Sequence, residues 1–269
     1  MKNNIKEITD QLEQGVKEVF ESDKYKEYLD FMSKFYNYSV NNIILIMTQM
    51  PEASLIAGYK AWQTKFNRQV RKGEKGITIL APCPHKKMIE QDGEEKEITW
   101  TSFRAVKVFD LSQTDGDEVP TGCTDKLTGE VQNYNQLISQ LKDISPVPVY
   151  FEKIRGIVNG LFNTVDKKIV IDEDLSEKQT VKTMIHEIAH AILHDRDSGE
   201  EKDADRSTCE VQAESVAYTV CKMIGIDASD YSFGYVAGWG SGREVKELTA
   251  NMEVIRKTAK HIFDGLQAA

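Results

Sequence analysis

The chain has 269 residues, of which 40% are hydrophobic and 29% charged, and a net charge of −9. This is the composition of a soluble globular protein, and the length suits one large domain or two of ordinary size. The longest apolar run, Ile43 to Met47, is far too short to cross a bilayer, and the amphipathic N-terminus has no secretory apolar core; no membrane partner and a cytoplasmic location are therefore expected.

The first expected element is a helix over 4–35. Ile5, Ile8, Leu12, Val16, Val19 and Phe20 recur at helical spacing, and the aromatic stretch that follows reads as core. A second helix runs from Ser39 to the stop at Pro51, and a short helical element covers 54–67. A basic turn with two glycines then leads into a strand over 77–81, ended by Pro82. The acidic stretch 90–97 reads as a hairpin tip, with strands after it at 98–103 and 105–109. Helices followed by a small antiparallel sheet make an α+β pattern.

Charge is unevenly spread. Residues 54–87 carry eight lysines and arginines against one acid, Glu74, in a chain that is negative overall. Tyr59 and Trp62 stand here among Lys60, Lys65, Arg68, Arg71, Lys72 and Lys75. Cations neutralise phosphates without reading sequence, and exposed rings stack on unpaired bases, so the pattern fits a single-stranded nucleic-acid site. It fits a solvated basic turn around a buried tryptophan equally well.

The polar stretch 111–128 is the expected linker between domains at 1–120 and 121–269. The second domain should begin with a helix over 133–144, a strand over 147–151 and a β-hairpin over 158–171 that turns at Asp166. Ser176 and Gln179 read as a capping box for the next helix. That helix carries HEIAH, residues 186–190. His186 and His190 lie one turn apart on one face, where two imidazoles grip one Zn²⁺, and Glu187 is placed as general base toward water on the metal.

A third protein ligand is expected on the following helix, where Glu210 and Glu214 stand one turn apart. We assign Glu210 as ligand and Glu214 as the carboxylate that orients an imidazole, roles that could be exchanged. A metzincin pattern is excluded because Arg196 occupies the position of its third histidine and Leu193 that of its glycine. His194 is expected at the surface or behind a ligand. The four cysteines, Cys83, Cys123, Cys209 and Cys221, form no C-x-x-C pair and read as reduced thiols. The Gly/aromatic stretch 231–242 is expected as a loop bordering the cleft, and a final helix should run over 244–266. Tyr218, Tyr231 and Tyr235 are candidates to stabilise an oxyanion.

The block SVNNIILIMTQMPEASLIAGYKAWQTKFNRQVRKGEKGITILAPCP, then VFDLSQTDG, then HEIAH with E-x-x-A-E, resembles the ArdC-type antirestriction proteins of plasmids and conjugative elements over nearly the whole chain. The resemblance implies single-stranded DNA binding by the first domain, and with it that the patch of Tyr59, Lys60, Trp62, Lys65, Arg68, Arg71, Lys72 and Lys75 is the DNA-binding surface. It implies a gluzincin-type, IrrE/ImmA-like zincin fold for the second, with His186, His190 and Glu210 matching the metal ligands and Glu187 the general base. It also implies a role in protecting mobile-element DNA from host defences. Two rival readings follow: a regulatory metallopeptidase that cleaves a DNA-bound repressor or another protein partner, and a DNA-binding module whose zinc site is not catalytic.

Overall fold

The computed structural model describes residues 2–20, 24–91, 94–119, 133–156, 158–197, 199–201, 203–228, 231 and 233–268. The fold is α+β. The chain divides into two compact units, one formed by Met1–Gly15 with Asn41–Pro120 and the other by Val16–Val40 with Thr121–Ala269. No helix among the described residues is long and apolar enough to cross a membrane.

In the first unit, α1 (Lys2–Val19) crosses α3 (Val40–Gln49) at Gly15, where any Cβ would stand 2.6 Å from Ile44 Cγ2. The apolar run Ile43–Ile46 is buried along α3. Next come β1 (Ile56–Gly58), α4 (Tyr59–Phe66), β2 (Arg68–Val70), β3 (Ile77–Gln91), β4 (Glu94–Asp110) and β5 (Thr114–Gly116). A three-stranded antiparallel sheet has the order β1-β4-β3, and β2 pairs with β5. β3 and β4 run far past the sheet as a long two-stranded arm; residues 92–93, which join them in sequence, lie outside the described residues.

β3 is an edge strand, and α3 covers the base of its edge. Asn42 Nδ2 donates to Leu80 O at 2.9 Å while Leu80 N donates to Asn42 Oδ1 at 2.8 Å. Gln49 does the same for Thr78, at 2.8 Å in both directions. These amides stand in for a neighbouring strand and satisfy outward-facing backbone groups. The same parity corrects the expected end of the strand. Thr78 and Leu80 send their N–H groups outward, so Pro82 and Pro84, in step with them, lose no bond to β4, and the strand continues. The strands expected at 98–103 and 105–109 are one strand. The expected linker is structured at its start: Leu111–Gln113 forms a 3₁₀ turn and β5 pairs with β2. The rest of that linker, from 120 on, lies outside the described residues.

In the second unit, α2 (Lys24–Phe35) is separate from α1, where one helix over 4–35 was expected. It packs on α7 (Arg206–Met223): Tyr25 and Ser215 hydroxyls lie 2.9 Å apart and Tyr218 donates to Asp30 Oδ1 at 2.7 Å. Residues 16–40 therefore group with Thr121–Ala269, not with 1–120 as drawn from the sequence. The unit continues with α5 (Tyr134–Ile144), β6 (Val149–Glu152), β7 (Gly160–Asn163), β8 (Lys168–Asp172), α6 (Glu177–Leu193), α8 (Val236–Gly240) and α9 (Val245–Ala268). Its sheet has the order β6-β8-β7, with β6 parallel and β7 antiparallel to β8, so β7 is an edge. Ser176 caps α6 by accepting from Gln179 N, while the Gln179 amide donates onward to Thr183 Oγ1. Val181, Met184, Ile185 and Ile188 of α6 are fully buried, as are Ala213, Val216, Ala217 and Val220 of α7. Cys83, Cys209 and Cys221 are free thiols; Cys123 lies outside the described residues.

Candidate functional site

The spacing of the helical residues builds the site. His186 and His190 project from one face of α6, and their Nε2 atoms lie 3.0 Å apart. Across from them on α7, Glu210 Oε2 is 3.7 Å from His186 Nε2 and 3.8 Å from His190 Nε2. Donors held 2.0–2.1 Å from a tetrahedral ion would be about 3.3 Å apart. The observed triangle brackets that value, so shifts of a few tenths of an ångström adapt it to one divalent cation. These three residues form the only such group of three among the described residues. With both imidazoles protonated on Nδ1, the Nε2–Nε2 approach sets two lone pairs against each other, which a shared cation would relieve.

Glu214 Oε2 lies 3.1 Å from His186 Nδ1, an ion-pair distance without hydrogen-bond geometry. It stands behind His186, away from the cation side, the place of an orienting carboxylate. Burial works against a charge on His186, but Glu214, Glu187 and Glu210 overcome it and raise its pKa above the ordinary value. Burial raises the Glu187 carboxyl, partly offset by the two imidazoles and by the Phe162 backbone N–H. The His190 imidazole holds the Glu210 carboxyl below its ordinary value.

His190 is oriented by a chain of contacts that no spacing in the sequence announces. Its Nδ1 is 2.9 Å from His194 Nδ1, and His194 Nε2 is 2.8 Å from Gln212 Oε1. Gln212 Nε2 donates to Asn251 Oδ1 at 2.7 Å, and Asn251 Nδ2 donates to the carbonyl of Glu247 at 3.1 Å. A backbone carbonyl only accepts, so it sets the direction of the whole chain. Asn251 must turn its oxygen to Gln212, Gln212 its oxygen to His194, and His194 carries its proton on Nε2. His194 Nδ1 then accepts from His190 Nδ1–H, which leaves the lone pair of His190 Nε2 directed at the cation position. Burial agrees with a neutral His194, its pKa pushed down to about 4.

A cleft of about 290 Å³ opens beside this group, lined by Asn159, Gly160, Lys182, His186, Glu187, Glu214 and Tyr231 among others. The three tyrosines separate here. Tyr218 is buried with its hydroxyl on Asp30, away from the cleft. Tyr231 lines the cleft under Lys182, whose Nζ is 4.2 Å from the ring centroid. Tyr235 is half exposed, and burial together with the fields of Glu214 and Glu210 raises its pKa. The Gly/aromatic stretch is partly helical, as α8, and buries Trp239.

The basic stretch of the first unit divides differently from its sequence pattern. Trp62 is 0% exposed and its Nε1 donates to Phe109 O at 2.9 Å. This corrects the expectation that its ring stacks on bases, because α4 turns the indole into the core. Arg68 is held by Thr114 Oγ1 at 2.8 Å and by the carbonyls of Thr114, Gly116 and Asp117. Arg71 is paired with Glu74 and Asp115. Both arginines clamp β5 and its flanks. Tyr59, Lys60, Lys65, Lys72 and Lys75 are exposed.

Residues 1–109 match the family model described as the N-terminal domain of anti-restriction factor ArdC, and residues 146–223 match the IrrE N-terminal-like domain, Peptidase_M78. Over 99% of its length the chain is 26% identical to the uncharacterized protein pXO2-81 of Bacillus anthracis, and it spans about half, 52%, of that relative. The metal-free crystal structure of the antirestriction ArdC protein from the R388 plasmid superposes with a TM-score of 0.59 at 19% identity, covering 96% of each chain. The Mn(II)-bound structure of that protein superposes at 0.50, also at 19% identity, over 86% of this chain and 83% of the other. At that identity the likeness is one of fold. With both domain models matched in order, the chain is ArdC-like.

Proposed function

We propose that this ArdC-like chain is a DNA-protection accessory protein of a mobile element, with a first unit that binds single-stranded DNA and a second that hydrolyses peptides with a divalent metal. The observation that carries the reading is the cluster of His186, His190 and Glu210 with buried Glu187 beside it, in a chain whose first 109 residues match the ArdC N-terminal domain. Two imidazoles and one carboxylate favour Zn²⁺, and the open side of the set suits a catalytic rather than a structural ion. When bound, the ion acts as a Lewis acid toward a carbonyl and makes water more acidic.

The chain's own residues supply the rest. Glu187, its pKa raised by burial, accepts a proton from water and returns it to the leaving amine. Glu214 and the His194–Gln212–Asn251 chain hold the two imidazoles in position. β7 is an edge strand whose Gly160 lines the cleft, so an extended peptide has a strand to pair with. Tyr231 and Tyr235 remain the candidates to steady an oxyanion.

That strand edge also favours a second reading, in which the peptidase is regulatory and the first unit delivers it to a DNA-bound protein. A Glu187→Gln variant tests the pair. Loss of the antirestriction phenotype with zinc and single-strand binding intact assigns the effect to proteolysis. An unchanged phenotype leaves DNA binding as the active part and the metal site as non-catalytic.

A further inference from the structure

We infer that single-stranded nucleic acid lies along one face of the β3–β4 arm, with its bases stacking on Trp100. The inference rests on the proposed single-strand binding and assigns it a surface. Trp62 and Trp239 are buried, whereas Trp100 is 48% exposed far out on the arm. Its exposure is organised. His85, directly across from it in the ladder, lies against the indole with ring centroids 5.2 Å apart and planes 17° from parallel. His85 is itself fixed by Ser102, Nε2 to Oγ at 2.7 Å. One face of the indole is thus braced, which lowers the entropy lost when a base stacks on it.

Strand alternation sorts the charges. Arg104, Ser102, Trp100 and Lys96 share one face of β4 with His85 and Lys87 of β3, because paired residues point the same way and side chains alternate. Same-face side chains recur about every 6.7 Å along a strand. Arg104 on one side and Lys87 and Lys96 on the other therefore flank the indole along a line. Within 77–87 and 96–108 that face contains no Asp or Glu. All three cations are exposed. The opposite face differs: Lys86 is neutralised by Glu97 at 2.9 Å.

A line of exposed cations interrupted by a braced aromatic ring matches a phosphate backbone that exposes its bases. A duplex keeps its bases stacked inside, and an acidic peptide has no use for the ring. In a chain of net charge −9, the local separation of charge is what makes such a surface attractive to a polyanion.

The test uses the full chain and a fluorescein-labelled oligo-dT, with fluorescence anisotropy at two salt concentrations and a matched duplex alongside. Trp100→Ala should weaken binding roughly tenfold to a hundredfold, the range for loss of one stacked base. Trp100→Phe should restore most of it. Lys87→Glu with Arg104→Glu should weaken binding and flatten the salt dependence, while Lys86→Gln on the other face should leave both unchanged. Unaltered thermal melting and Zn²⁺ binding would show the variants folded. If the unmodified chain binds no single strand, the single-strand reading itself fails. If it binds, but Trp100→Ala and the charge reversals bind equally well, the arm is the wrong surface and only this inference falls. Duplex binding with the same dependence on Trp100 would also overturn it.

Discussion

The α6–α7 pair and the β3–β4 arm handle polar side chains in opposite ways. Around the candidate metal centre each functional group is held by a second group: His186 by Glu214, and His190 by His194, Gln212 and Asn251 down to a backbone carbonyl. On the Trp100 face of the arm, cations and an indole face solvent, and the indole is braced by His85. The first arrangement suits an ion that tolerates errors of tenths of an ångström. The second suits a flexible polymer that must be gripped without reading its sequence. Between the extremes lies the basic stretch at 68–75, where cations that look free in sequence are in fact engaged: Arg68 and Arg71 clamp β5.

Four substitutions probe this contrast between the two regions. The largest effect is expected at Glu187. Glu187→Gln should lower peptide turnover about 10²- to 10⁴-fold, the usual contribution of a general base, while calorimetry still finds one ion per chain. A turnover within threefold of wild type would remove Glu187 from the chemistry. Next is Trp62→Ala, which opens a cavity in the first unit and should cost about 3–5 kcal/mol of stability in a denaturant melt. Single-strand affinity of the folded fraction should not change; a large specific loss would put the indole back in the DNA surface.

The third is at Gln212. Gln212→Leu removes the acceptor that fixes His194 and should reduce Zn²⁺ affinity about 10- to 100-fold. Nitrogen-15 NMR of the imidazoles in metal-free protein should then show His190 as a tautomer mixture, where the wild type shows Nδ1–H alone. The smallest effect is at Asp205, the N-cap of α7, which accepts from Thr208 N at 3.0 Å. The Thr208 backbone N–H, its hydroxyl and Arg243 hold this carboxyl down to about 2. A depressed carboxyl stabilises fully above its unfolded value of about 3.9 and loses that contribution as pH falls through the folded value. Asp205→Ala should therefore cost about 1 kcal/mol near neutrality, with the gap from wild type closing toward pH 2.

What could be read from the sequence follows the same division. HEIAH places two histidines on one face by helical periodicity alone, and Glu210 with Glu214 repeats the logic one helix later, so the approach of His186, His190 and Glu210 could be expected without coordinates. Gln212 and Asn251 were not: a buried amide has no local signature, and the two are 39 positions apart. Trp62 was misread because a ring among cations in sequence says nothing about the side of α4 on which it lies. Pro82 was misread as a stop because the direction of its missing N–H depends on which strand is the edge. Trp100 was passed over since the arm holding it was read as two short strands and a solvated tip.

The donor set of His186, His190 and Glu210 is open to direct measurement. Zn²⁺ should be titrated calorimetrically into the metal-free chain and into His190→Ala, with X-ray absorption on the loaded protein. One ion per chain, a first shell of two imidazole nitrogens with oxygen, and loss of tight binding in the variant are the predicted results. No stoichiometric binding, or binding that survives His190→Ala unchanged, would contradict the assignment of His186, His190 and Glu210 and the peptidase chemistry built on it.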